Sequence, residues 1–353
     1  MARSTFNRVA IKGIAGAVPQ DKVNNLNDHT FCTEDERKNI IALTGVHEYR
    51  IAPADLCASD LCAAAATNLM EGLKVDTGSI DAVIFVSMTP DFMIPSTACV
   101  LQDRLGCTVS TIAYDINMGC SAYVVGLYNA CALLQGGNLQ RVLLLTGDTQ
   151  TKLCHREDKN VVFLLADGGA ATLLEKTDSD TDRITIELET DGSGYDKLFV
   201  PAGGFRTPST ASTREVKKQP DGGFRSEEHI YMDGMEIFKF SSSDVVKSTK
   251  SFMEHNHFSS EDFDYFIMHQ ANKFMTDKIA RKLKFPKEKV PYSLQVYGNT
   301  GSASIPLTIA HNYREMIPEG RHRYLLSGFG IGLSWGTVDV VLNNIFCPSV
   351  IEC

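Results

Sequence analysis

Three landmarks recur in the same order and at nearly the same spacing in the two halves of this 353-residue chain. Asp81 opens a short apolar run, Cys120 opens a long helical pattern, and Arg141 opens the next apolar run 21 residues on. Asp264, Ser302 and Arg323 repeat that punctuation at offsets of 183, 182 and 182 residues. Residue identity between the halves is weak, yet matched punctuation at a near-constant offset points to one fold used twice. Duplication also answers a question of size, because a single core stops growing at roughly 250–300 residues. The expected division is residues 1–178 for a first half carrying Cys120 and 179–353 for a second.

The runs DAVIFVSMT (81–89), STIAYDI (110–116), RVLLLTGD (141–148), ATLLE (171–175), DYFIMHQ (264–270), RYLLSGFG (323–330) and GTVDVVL (336–342) are short, β-rich and stopped by Gly, Thr or Asp. They read as buried parallel strands. Helical patterns lie between them at 58–73, 120–137 and 272–283. This alternation predicts an α/β architecture of parallel sheets covered on both faces. Residues 203–229 are rich in Gly, Pro, Ser, Thr and charge and form no convincing strand or helix. A loop of that length is either functional, mobile, or a tolerated surface insertion.

Composition removes several classes. With 34 Lys+Arg against 43 Asp+Glu and a net charge of −9, nucleic acid is not expected as the main partner. No window approaches ~18 uninterrupted apolar residues, and MARSTFNRVAIKG lacks a signal-peptide core, so neither a membrane span nor secretion is expected. The ten cysteines form no C-x-x-C pair and no His stands at zinc-ligand spacing, so no metal site is expected. A disulfide framework belongs to short secreted chains, which leaves a reducing cytoplasm and thiols that mostly pack as small hydrophobes.

Cys120 stands apart. A strand-like run ends before it, Gly119 permits a sharp turn, and a long helical pattern begins at it. A helix N-terminus favours a thiolate, so this is the candidate nucleophile. His269 ends the run DYFIMHQ, where the edge of a parallel sheet meets a ligand crevice, and Val86 is its counterpart in the repeat. Asn299 lies in the turn YGNTGSAS ahead of Ser302. A histidine there also suits a core, and an asparagine also suits a turn. The repeat, however, brings both toward Cys120 across a pseudo-twofold axis. The glycine-rich SGFGIGLSWG (327–336) lacks the order of a dinucleotide fingerprint and reads as a tight strand-to-strand turn with N–H groups to offer. DGGAATLLE (167–175) reads as a turn into a strand.

Seven motifs together resemble the β-ketoacyl-acyl-carrier-protein synthase III family of the thiolase superfamily. They are TGVHEYRIA (44–52), TPDFMIPSTACVLQDRLG (89–106), DINMGCSAYVVGL (115–127), YMDGMEIFKF (231–240), MHQAN (268–272), GNTGSASIP (298–306) and GFGIGLSWG (328–336). The resemblance spans nearly the whole chain and implies a thiolase-like duplicated fold in five layers, α-β-α-β-α. It implies that Cys120 takes an acyl group from a thioester and that backbone N–H groups of Cys120 and Ile331 form the oxyanion hole. His269 and Asn299 would hold the enolate of a malonyl group on acyl carrier protein as CO2 leaves. The substrates implied are acyl thioesters of coenzyme A or acyl carrier protein, with no cofactor or metal, and the assembly implied is a homodimer. Ile94 takes the position that lines the primer pocket.

Residues 273–289 carry seven Lys/Arg and two Asp/Glu within this acidic chain. Lys273, Lys278, Arg281 and Lys282 are therefore expected to form a docking face for an acidic carrier protein. An ordinary solvated helix face is the alternative. The chain also departs from the family pattern. Typical bacterial members carry a Trp that stacks on coenzyme A before the TG motif, and an Arg next to it. Here that segment reads TEDERKNIIALTG with Leu43 before the TG, and Trp335 is the single Trp. The 203–229 segment is longer than usual. These departures leave the primer's carrier and the pathway open. Two other readings stand beside condensation: acyl transfer to an alcohol or amine, and a catalytically silent partner subunit.

Overall fold

The computed structural model describes residues 2–353, and in it the apolar runs gather into two sheets. The strands that build them are β1 (Ala2–Asn7), β2 (Val9–Val18), β3 (Ala82–Ser87), β4 (Ile112–Asn117), β5 (Arg141–Asp148), β6 (Gly168–Lys176) and β7 (Arg183–Thr190). The second half adds β8 (Tyr265–Met268), β9 (Arg321–Gly330), β10 (Ser334–Asn343) and β11 (Ile351–Glu352). One sheet runs β11-β2-β6-β5-β3-β4 and the other β1-β7-β10-β9-β8. Across β2-β6-β5-β3 the pairings are antiparallel, antiparallel and parallel. The series β7-β10-β9-β8 repeats those directions. The duplication is thus present in the topology.

Both sheets are mixed, which corrects the expectation of parallel ones. Only three residues separate β9 from β10, and so short a turn can return the chain only antiparallel. Four of these strands escaped the sequence reading, β11 because it is only two residues long. β2 is broken by Gly13 and Gly16, β1 is polar, and β7 carries Glu187, buried because Arg3 of β1 pairs with it. The chain ends are also exchanged: β1 pairs with β7 of the second sheet, and β11 returns to β2 of the first. The repeat is imperfect at β4. Its counterpart at the 182-residue offset is a helical turn, Leu294–Tyr297, and the counterpart of Asn117 is Asn299.

The helices are α1 (Glu34–Thr44), α2 (Ala58–Leu73), α3 (Thr97–Arg104), α4 (Ala122–Gly136), α5 (Gly234–Phe240), α6 (Val246–His255), α7 (Lys273–Lys282) and α8 (Ser304–Asn312). Side-chain alternation along the strands explains their placement. On β3, Ile84 and Val86 point to a central core while Val83 and Phe85 meet α2 and α3 outside. On β8, Ile267 points to the same central core while Phe266 and Met268 meet α5–α7. Both faces are covered, so the strands read as unbroken apolar runs. The helix α4 is apolar nearly all round and touches strands of both sheets, as a helix buried between layers must. With α8 beside it, the order is α-β-α-β-α. Each fully buried Leu, Ile or Phe contributes about 1.5–3 kcal/mol to this core. Among the described residues no helix is long and apolar enough to cross a membrane.

The 203–229 segment is ordered by its own contacts. Lys217–Lys218 and Phe224–Arg225 form a small antiparallel pair. The Arg225 guanidinium turns inward, bonds Asp158 at 3.1 Å and Asp221 on its other arm, and lies 5.0 Å from the Tyr231 ring centroid. Asp158 and Arg225 are both buried, so the segment is strapped to the stretch 158–165.

Candidate active site

After β4 the chain turns through Gly119, Cys120 and Ser121, and Ala122 N donates to Gly119 O at 2.8 Å as α4 starts. Cys120 therefore precedes the helix by two residues instead of opening it. Burial pushes its thiol up to about 11, against hydrogen bonds from the backbone N–H groups of Ile331 and of Cys120 itself, which pull it down. The expected thiolate is thus not the resting form, because desolvation outweighs what the helix end and the two N–H groups supply. Gly330 makes the close approach possible. A Cβ there would stand 2.5 Å from Cys120 Cβ and 2.7 Å from its sulfur.

His269 follows β8, its N–H donating to Ser327 O at 2.8 Å. The ring is 1% exposed, and burial holds its pKa down at about 3, opposed by a backbone hydrogen bond with Gly301. Burial thus favours its neutral form. Its Nδ1 lies 2.7 Å from Ser304 Oγ, and when that hydroxyl donates, the ring proton sits on Nε2. Asn299 is tied at its backbone: its N–H donates to Leu164 O, and its carbonyl accepts from Ala166 N, both at 2.9 Å. Its Oδ1 accepts from Gly301 N at 3.0 Å, which leaves Nδ2 as the donor it can offer.

Sequence reasoning missed three supports. Asp148, at the end of β5, is fully buried and accepts from Met88 N and Ser302 N, each at 2.8 Å, and from Ser87 Oγ at 3.0 Å. Burial raises its carboxyl to about 6, and those hydrogen bonds act the other way. Gly301, at φ +56°, has Asp148 Oδ2 2.4 Å from where a Cβ would lie. In the repeat Asp148 matches Gly330, and Ser302 matches Cys120. Each strand end therefore supports the other half's turn. Gln150 donates through Nε2 to Ala166 O at 3.0 Å and to Asn299 O. Ser304, on the first turn of α8, orients the histidine. The terminal Asp of RVLLLTGD was the one visible signal among these.

Cys120, His269, Asn299, Gln150 and Ile331 all line one cavity of about 50 Å³, whose remaining walls are mostly apolar. Ile94 is not among its walls. It is 86% exposed on the surface loop before α3, with Phe92 and Met93 beside it also exposed. The basic residues are on α7, which starts at the cavity with Asn272 as its cap. Lys273 pairs with Asp277 at 2.6 Å, Lys278 lies 4.2 Å from the Phe238 ring centroid, and Lys282 donates to Ser242 O at 2.6 Å. Arg281 is exposed. Leu43 is exposed at the end of α1. Among the described residues, no cluster of three or more His, Cys, Asp or Glu is placed to hold a metal ion.

Such a duplicated five-layer fold places the protein among the thiolase-like condensing enzymes. The family described as 3-oxoacyl-[acyl-carrier-protein] synthase III matches residues 114–192, and the family's C-terminal part matches residues 253–341. A crystal structure of 3-oxoacyl-(acyl-carrier protein) synthase from Burkholderia xenovorans LB400 is 34% identical and superimposes with a TM-score of 0.93, covering 100% of this chain and 99% of its own. The β-ketoacyl-[acyl-carrier-protein] synthase III of Caldanaerobacter subterraneus subsp. tengcongensis is 31% identical over 93% of this chain and 96% of its own. The priming β-ketosynthase from the R1128 polyketide pathway is 25% identical, with a TM-score of 0.83 over 96% of this chain and 97% of its own. The chain belongs to the 3-oxoacyl-[acyl-carrier-protein] synthase III family.

Proposed function

We infer that the protein joins an acyl primer to a malonyl group carried on acyl carrier protein, releasing CO2 and a β-ketoacyl product for fatty acid or related biosynthesis. The observation that carries this reading is the meeting of Cys120, His269 and Asn299 in one cavity, with two backbone N–H groups on the sulfur. In the first step Cys120 Sγ bonds the primer carbonyl, the thioester C–S bond breaks, and the thiol proton leaves with the departing thiolate. The N–H groups of Cys120 and Ile331 receive the oxyanion. Malonyl thioester then enters, its carbonyl held by His269 Nε2–H and Asn299 Nδ2. As the bond to CO2 breaks, the electron pair passes to an enolate that these neutral donors stabilise in a dry site. The enolate carbon attacks the acyl-cysteine, the C–S bond breaks, and the released Cys120 thiolate takes a proton from the solvent. No cofactor takes part in any step.

Carrier protein is placed on the exposed side of α7, and coenzyme A or carrier protein both remain as bearers of the primer. We further place the enzyme in the cytoplasm, a reading supported by ten cysteines that are unpaired in the structure. It acts as a homodimer. Among the described residues no strand pairs with the outer edge of β4; Ile112 on it and Val109 just before it are exposed, as are Phe92, Met93 and Ile94 on the loop before α3. Pairing two copies covers that edge and carries Ile94 toward the partner's cavity. The test is incubation with an acyl thioester and malonyl-carrier protein, followed by intact mass and CO2 release. An acyl adduct absent in Cys120→Ala, with CO2 released in step with product, is the expected result. Acylation that survives in Cys120→Ala would sink the reading, and product without CO2 would favour simple acyl transfer.

A further inference from the structure

Gln150 lies two residues past β5 and is 1% exposed. Its Nε2 donates to the carbonyls of Ala166 and Asn299. A carbonyl oxygen can only accept, so the amide cannot be turned the other way. Its Oε1 must therefore face away from them, and among the described residues nothing donates to it. It is not sealed in protein as Ser327 Oγ is. The space Gln150 borders is the Cys120 cavity, where Leu164, Leu165, Leu198, Ile230 and Phe329 make an apolar wall. An acceptor without a protein donor, bordering such a wall, favours an occupant that brings a donor, and disfavours one that leaves it bare.

We propose that Gln150 selects the primer: the acyl group loaded on Cys120 carries a hydroxyl that donates to Gln150 Oε1, making a short hydroxyacyl thioester the preferred donor substrate. This rests on Cys120 being the acyl acceptor. The cavity is small, about 50 Å³, which suits a short acyl chain. The hydroxyl is not consumed. Acylation forms the Sγ–C bond and breaks the thioester C–S bond as for any primer, with the thiol proton leaving on the released thiol.

The experiment uses the full chain and N-acetylcysteamine thioesters of butyrate, 2-hydroxybutyrate and 3-hydroxybutyrate, so recognition of a carrier plays no part. Intact mass follows the rate at which Cys120 is acylated. One hydroxybutyryl thioester is expected to react about tenfold faster than butyryl, and Gln150→Leu to bring those two rates within about twofold. The ratio is read because the substitution also removes the contact to Asn299, and any loss from that is shared by both substrates. Gln150→Met repeats the measurement should the leucine variant fail to fold. If the wild-type protein takes butyryl as fast as both hydroxy forms, or if the preference survives in both variants, the proposal is overturned while the acyl-enzyme reading stands. A Gln150→Leu effect seen only as a raised KM for malonyl-carrier protein, equal for every primer, would assign the oxygen to the pantetheine arm and overturn it as well. Failure of all three thioesters to label Cys120 would refute the acyl-enzyme reading itself.

Discussion

At the scale of single residues, the site pairs an uncharged thiol with an uncharged imidazole. Burial moves the two groups in opposite directions, Cys120 up to about 11 and His269 down to about 3. Both shifts favour the neutral form, and together they suppress a resting thiolate–imidazolium pair. Alkylation of Cys120 by iodoacetamide should therefore be slow at pH 7 and climb about tenfold per pH unit toward pH 10, because the thiolate fraction grows that way below the pKa. A plateau near pH 7 would show an activated thiolate instead. His269→Ala should leave acylation of Cys120 within a few-fold of wild type while condensation falls by about 10²–10³, the usual cost of losing one oxyanion donor. Equal loss of both steps would remove His269 from the enolate site. Gly330→Ala should abolish acylation in a folded protein, since its methyl would occupy the space of the nucleophile's own Cβ and sulfur. Circular dichroism and intact mass check the two halves of that expectation.

At the scale of elements, two segments frame the cavity and can be tested apart. The strap 203–229 is held by Arg225 on Asp158, a pair in which both side chains are buried. Arg225→Ala leaves Asp158 buried without its cation and should cost about 3 kcal/mol, read as a shift in the urea midpoint. Leu164 and Leu165 line the cavity a few residues after Asp158, so the same variant should also slow acylation. On α7, Arg281→Glu is the clean probe of carrier docking, because Lys273, Lys278 and Lys282 each have a partner within the chain. Its expected effect is a raised KM for malonyl-carrier protein with acylation by a small thioester unchanged. A like effect on both reactions would return α7 to an ordinary solvated face.

At the scale of the whole molecule, the proposed site lies at a seam between two copies of one fold. Asp148 of the first half supports the Gly301–Ser302 turn of the second, and Gly330 of the second makes room for Cys120 of the first. Neither half alone contains a complete site. The unpaired β4 edge extends the same logic to a second chain. Sedimentation should give twice the mass of one chain, and Ile112→Asp should shift it toward the monomer with loss of condensation. A wild-type monomer of full activity would refute the homodimer.

Sequence alone determined what depends on near neighbours. Duplication was legible from the matched spacing of Asp81, Cys120 and Arg141 with Asp264, Ser302 and Arg323, and the central strands from apolar runs that only two covered faces can produce. As candidates, Cys120, His269 and Asn299 were legible because each sits at a break between elements, and the structure brings them to one cavity. Tertiary structure decided the rest. The polar β1 and the Glu187-bearing β7 became strands only by pairing across the fold, and Asp148 and Gln150 gained a role only through turns more than a hundred residues away. The balance at the Cys120 thiol was likewise set by tertiary structure. A helix end acts locally and favours the thiolate, whereas desolvation comes from every layer packed around it, and here desolvation prevails.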